Sequence, residues 1–187
     1  MTNINTKNIL KYMLKLNTFS RNNAREYAIK YALTKNPEYF DYTTYGGNCT
    51  NYISQCLFAG APKMNFNVNN GWYYLSAWNT SNSWINVEPF YNFLTSNKSV
   101  GPFASVSPLE MCEVGDIIQL RFNNMGNFSH SLIVTQINSH SPDGIFVCAN
   151  TRNVKNVPLY SYSYKEFRLL HILGYRTEQW IIMDYLK

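Results

Sequence analysis

Cys49 has the setting of a nucleophile. It follows the Gly46-Gly47 pair and opens a segment in which Tyr52, Ile53, Cys56 and Leu57 recur at helical spacing. A thiol at a helix N-terminus faces unpaired backbone N–H groups and the positive end of the helix dipole. Both favour the thiolate and lower the thiol pKa. The same N–H groups can hold the oxyanion that forms when a thiolate attacks a carbonyl. The competing reading is a small buried cysteine at a helix start.

His130 supplies the natural partner. It heads the apolar run HSLIVTQI, just after a Gly- and Asn-rich turn. From the mouth of a strand it could deprotonate a thiol across a cleft and later protonate a leaving amine. Asn150 ends the next apolar run, one hairpin away. In an antiparallel pair it is expected beside His130, where it would hold the second imidazole nitrogen and fix the tautomer. Asn48, directly before the nucleophile, and Tyr45 and Tyr42, a few residues earlier, are candidates for the oxyanion or substrate. Trp72, in the cluster Trp72-Tyr73-Tyr74, could floor a sugar or an aromatic acyl group. The remaining cysteines, Cys56, Cys112 and Cys148, read as structural. No CxxC pair or His at zinc spacing accompanies them, so no metal is expected and the thiols are expected free. Asp116 reads as a turn former, and His140 and His171 as local structure.

These residues need helices first and strands second. Residues 3–16 read as an amphipathic helix, with Ile9, Met13 and Leu16 on one face and Lys7, Lys11 and Lys15 on another. Ser20 is placed as an N-cap for a helix over 21–34, whose buried stripe is Ala24, Tyr27, Ala28, Tyr31 and Ala32. Cys49 to about Ala59 is the third helix, closed by Gly60 with Pro62 beyond it. Residues 63–105 form a long aromatic, Asn-rich excursion with a short helix near Pro89–Leu94. Strands follow at Val114–Phe122, His130–Ile137, Gly144–Asn150 and Phe167–Tyr175, with a fifth at Trp180–Tyr185. That order is α+β. The division is an N-terminal helical arm over 1–18 and a catalytic domain over 19–187.

The chain has 187 residues and 45% hydrophobic residues, which excludes a disordered chain. Its net charge of +5 suits an anionic partner or plain solubility, and the basic residues are too scattered for a nucleic-acid footprint. No apolar stretch approaches the roughly 20 residues of a membrane span, so stable membrane insertion is not expected. The lysines of the first 15 residues break any signal-peptide core. The expected location is therefore the cytoplasm, or the cell wall if the chain is trimmed from a longer one.

The run GGNCTNYISQCLFAGAPK, Gly46 to Lys63, resembles the nucleophile motif of the putative amidase domain family. GWYY at Gly71–Tyr74, Trp84, Tyr91–Leu94, GDIIQL at Gly115–Leu120 and HSLIVT at His130–Thr135 follow in the family's order. The early SRNNAREYAIKYA resembles its first helix. The resemblance extends to the CHAP and NlpC/P60 hydrolases and implies a papain-like cysteine-protease fold, with N-terminal helices packed on a mainly antiparallel sheet. It implies Cys49 as nucleophile, His130 as base and Asn150 as the third polar group. Many relatives carry His-Thr where this chain has Asn150-Thr151, and Asp where it has Asn48. The implied activity is acyl transfer through a Cys49 thioester without a cofactor. Hydrolysis of an amide, such as a cell-wall peptide linkage, comes first. The alternative is cytoplasmic transfer of an acyl group from a thioester, for example on an acyl carrier protein, to an amine. A third reading is a non-catalytic binding module, which predicts an inert Cys49.

Overall fold

The computed structural model describes residues 7–185. Two helices dominate its first third. Helix α1 (Arg21–Tyr31) starts where expected, with the Ser20 hydroxyl accepting from the Asn23 N–H at 3.4 Å. Ala24 and Ala28 are fully buried, and their small side chains let α1 approach helix α2 (Cys49–Gly60) closely. The Tyr52 hydroxyl then reaches the Ala28 carbonyl at 2.6 Å. Every residue of α2 from Cys49 to Leu57 is buried. Gly60 has to be glycine, because a Cβ there would lie 2.3 Å from the Phe19 ring and 2.7 Å from the Ser20 carbonyl.

The aromatic excursion folds over α2. It contains the short hairpin β2 (Tyr74–Ser76) and β3 (Asn79–Thr80), then α3 (Asn82–Ile85) and α4 (Val87–Ser96). Trp72 and Trp84 are fully buried against each other, with ring centroids 4.6 Å apart. Their indole N–H groups donate to Ser54 Oγ and Asn51 Oδ1, each at 3.0 Å. Two buried polar residues of α2 are thereby satisfied.

Seven strands form one sheet: β1 (Lys7–Asn17), β4 (Gly101–Ser107), β5 (Ile117–Arg121), β6 (His130–Ile137), β7 (Ile145–Ala149), β8 (Val154–Pro158) and β9 (Glu166–Tyr185). The order is β1-β9-β5-β6-β7-β8, with β4 pairing β9 as well, and each of these pairings is antiparallel. Alternation along the central strands separates two cores. Ile117, Ile133 and Cys148 pack toward α1 and α2, whereas Ile118, Leu120, Leu132, Val134 and Val147 form the opposite cluster.

The architecture is α+β with a mainly antiparallel sheet, as expected. Four strands of the main sheet differ. The helix expected over 3–16 is instead strand β1 from Lys7 onward, paired residue by residue with Tyr175–Tyr185 of β9; positions 3–6 lie outside the described residues. Residues 7–17 are thus not part of a helical arm, because β1 continues the sheet. The fourth and fifth expected strands are one 20-residue strand, β9. Strands β4 and β8 were not expected.

Candidate functional site

The Gly46-Gly47 turn sets the entry to α2. Both glycines have positive φ, +104° and +120°, a region that other residues adopt only with strain. Asn48 is the N-cap by position, yet its side chain makes no capping bond. The first-turn N–H groups of α2 are thus not satisfied by that side chain. Cys49 stands at this end with only 8% exposure. Strand β6 packs against the helix and brings His130 and Ser131 to the sulfur. The His130 imidazole and the Ser131 N–H lie near enough to act on the thiol's charge, and Thr50 Oγ1 lies 3.8 Å from Sγ.

These contacts decide the charge state. Burial alone would raise the Cys49 pKa. His130, the Ser131 N–H and the Thr50 hydroxyl outweigh it and bring the thiol from 9.0 to about 7. The other three thiols move the opposite way. Burial pushes Cys112 up to about 12 and raises Cys56 and Cys148 as well. All four thiols are free and buried, so position relative to His130 separates Cys49 from the rest.

His130 is packed between rings. Its centroid is 6.3 Å from that of Phe122 and 5.8 Å from that of Tyr162. The Tyr162 hydroxyl is buried without a hydrogen-bond partner, and burial pushes its pKa up to about 12.

The Asn150 side chain makes no hydrogen bond with His130. In the β6–β7 register Ile133 faces Cys148, so continuing by two residues brings position 150 opposite Ser131. Cross-strand partners share a face, and a one-residue offset moves a side chain to the other. Asn150 therefore points with Ser131 toward the helices, while His130 packs with Phe122 and Tyr162 near the opposite core. The Asn150 amide is fully engaged there. Nδ2 donates to the carbonyls of Tyr31, Ala32 and Thr34 at 2.7, 3.3 and 2.9 Å. Oδ1 accepts from Lys35 Nζ at 2.8 Å and from Asn48 Nδ2 at 2.9 Å. The expected orienting role is corrected to that of a clamp between α1, β7 and the nucleophile turn.

Asn48 belongs to the same clamp. Its Oδ1 accepts from the Tyr42 N–H at 3.1 Å and from Asn51 Nδ2 at 2.8 Å, so this side chain is turned away from the sulfur. Trp72 is also corrected: it is a core residue with no exposed surface. The Tyr42 hydroxyl is committed to the Ala77 carbonyl at 2.7 Å. Tyr45 is 65% exposed beside the 82% exposed Trp78, with centroids 6.4 Å apart, and these two make an aromatic edge next to the nucleophile turn. Among the described residues no three His, Cys, Asp or Glu side chains converge as metal ligands.

Residues 18–173 match the family model described as Putative amidase domain. The chain belongs to that family. It is also 34% identical over 119 residues to YhbB, an uncharacterized protein of Bacillus subtilis (strain 168). That match covers 62% of this chain and 37% of the relative, so the chain spans well under half the length of YhbB. No solved structure matches. Among the described residues no helix is long and apolar enough to cross a membrane.

Sequence reasoning missed Thr50, Ser131, Tyr162 and Lys35. Thr50 and Ser131 each directly follow a candidate catalytic residue, and that adjacency is the signal that could have found them. Lys35 and Tyr162 carry no comparable mark in the sequence.

Proposed function

We propose that this chain is a thiol-dependent amide hydrolase of papain-like layout, with Cys49 as nucleophile and His130 as general base and acid. The observation that carries the reading is that Cys49, at the N-terminus of α2, alone among the four cysteines has a lowered pKa, and that the neighbouring His130 contributes to this. A cysteine-bearing helix end packed against a histidine-bearing strand supports the papain-like arrangement. Membership of the amidase family supports an amide as the bond cleaved.

In the proposed cycle the Cys49 thiolate attacks the carbonyl carbon of an amide. The negative charge that develops on oxygen is held by the open first-turn N–H groups of α2. Protonated His130 donates its proton to the leaving amine, the C–N bond breaks, and a thioester to Cys49 remains. His130, now neutral, removes a proton from water as it attacks the thioester. The acid is released and the thiolate–imidazolium pair is restored. A peptide or amide linkage of the cell wall is the proposed substrate class, and the basic surface suits an anionic wall.

The test is the pH dependence of iodoacetamide alkylation, read at each cysteine by peptide mass mapping. Cys49 is expected to titrate near 7 while the other three stay slow in the folded protein. In His130→Ala burial acts with less opposition, so the Cys49 midpoint is expected to rise by more than one pH unit. Equal reactivity of Cys49 and Cys56, or indifference of Cys49 to His130→Ala, would refute the reading.

A further inference from the structure

A line of buried polar groups on the helix-facing side of the sheet ends at the candidate nucleophile. Arg168 Nε donates to Gln119 Oε1 at 2.8 Å. Gln119 Nε2 donates to Ser131 Oγ at 3.3 Å, and to the Val87 carbonyl at 3.1 Å. Ser131 Oγ lies 3.2 Å from Thr50 Oγ1, which lies 3.8 Å from Cys49 Sγ. Gln119 and Ser131 are fully buried and Thr50 is 1% exposed, so water does not interrupt the line.

Chemistry fixes its direction from both ends. A guanidinium can only donate, so Gln119 presents its oxygen to Arg168 and its NH₂ to Ser131. A thiolate can only accept, so with Cys49 ionised the Thr50 hydroxyl donates to sulfur. Its oxygen is then free to accept, and Ser131 donates to it. Each O–H or N–H dipole along the line thus points toward the sulfur. We propose that this line is a one-way hydrogen-bond relay that stabilises the Cys49 thiolate, with Thr50 as its terminal donor and Ser131, Gln119 and Arg168 as positioning residues behind it. The proposal rests on the reading of Cys49 as nucleophile. No bond is made or broken along it; each donor polarises the next, by about 10–30% per bond.

The far end is built to stay fixed. The Arg168 guanidinium lies 3.6 Å from the Tyr91 ring centroid and 4.1 Å from that of Phe128. Its Nη2 is 3.1 Å from the Glu88 carboxylate, which also accepts from the Phe128 N–H. Glu88 offsets much of the positive charge, so the relay delivers orientation and dipole to the sulfur more than net charge. The titratable groups nearest the sulfur besides the relay are His130 on β6 and Tyr162, packed on His130 from the segment before β9.

The test is the alkylation profile of Cys49, which a merely structural role would not shift. Thr50→Val keeps the shape and removes the terminal donor. The Cys49 midpoint is expected to rise by about one pH unit, roughly tenfold less thiolate at pH 6. Thr50→Ser is expected to restore the wild-type profile. Gln119→Met breaks the line further back and is expected to lower the thiolate fraction at pH 6 by about two- to threefold. In the Thr50→Val background it is expected to add nothing. Ser131→Ala replaces Gln119→Met in this cycle if the latter folds poorly by circular dichroism. A wild-type profile in Thr50→Val overturns the relay, as does a Gln119→Met effect of full size in the Thr50→Val background. If wild-type Cys49 is depressed and dependent on His130 while Thr50→Val changes nothing, the relay fails and the nucleophile reading stands. If wild-type Cys49 titrates as an ordinary thiol, both fail.

Discussion

Asn150→Ala separates a clamp from an orienting group. In the clamp, five partners lose their bond: the carbonyls of Tyr31, Ala32 and Thr34, the ammonium of Lys35, and Nδ2 of Asn48. Lys35 keeps Thr43 and the Asn150 backbone carbonyl, and the end of α1 is near enough to the surface to recruit some water. Counting the remaining loss at about 1 kcal/mol per bond gives a destabilisation of about 3 kcal/mol. For a chain of this size that lowers the melting temperature by roughly 6–12 °C. Asn150→Asp is expected to be worse at neutral pH, although it is closer in shape. It would replace the donating NH₂ with an oxygen facing three carbonyl oxygens, and because both carboxylate oxygens only accept, a flip brings no relief. The assay is a urea or thermal unfolding curve, paired with the Cys49 alkylation profile under conditions where the variant is folded. The expected pattern is a large loss of stability with the alkylation midpoint unchanged, because the sulfur's own contacts are His130, Ser131 and Thr50. An unchanged unfolding midpoint together with an upward alkylation shift like that of His130→Ala would refute the clamp and restore the orienting role.

Asp116 is a second fastening point. Its fully buried carboxylate accepts from Arg21 Nη1 at 2.7 Å, His171 Nδ1 at 2.8 Å and the N–H groups of Glu113 and Ile172 at 2.9 and 3.0 Å. Asp116→Asn places a donor against donors and is expected to cost about 3 kcal/mol, read as a lower urea midpoint at constant m-value. Gly46→Ala tests the nucleophile turn. No atom lies within 4 Å of the added Cβ, so the cost is backbone strain alone, about 1–2 kcal/mol. Its stability loss is expected to be small and the Cys49 alkylation midpoint unchanged.

The helices were legible because their signals are local. Ser20 before an alanine-rich stripe marked α1, and a Gly-Gly turn before Cys49 marked α2. The β1 strand was not, because its lysines recur every four residues. That spacing fits one helical face about as well as it fits one strand face. What decides between them is the half of the 20-residue β9 that β1 pairs, a partner 158 to 178 residues away that no local pattern reports. Strand β8 was hidden for a different reason. It is an edge strand that ends in Pro158 and carries Asn156 at φ +53°, so it lacks the clean alternation of β6.

At the site the hairpin is where the sequence put it, and the Asn150 side chain is turned to the helix-facing side of the sheet. Placing Asn150 near His130 needed only the hairpin; placing it on the same side needed the register, and a period of two makes one residue decisive. Once the register is known, two of the candidate residues become one unit. Asn48 and Asn150 are hydrogen-bonded to each other at 2.9 Å, with the Asn48 amide N–H donating to Asn150 Oδ1. An acid at position 48 would set an oxygen against that acceptor, so a substitution there has to be matched at position 150. A pair that keeps one donor facing one acceptor preserves the contact. The same contact explains why the nucleophile turn tolerates an asparagine directly before Cys49: its side chain is a structural partner of β7, and the thiol owes its charge to β6.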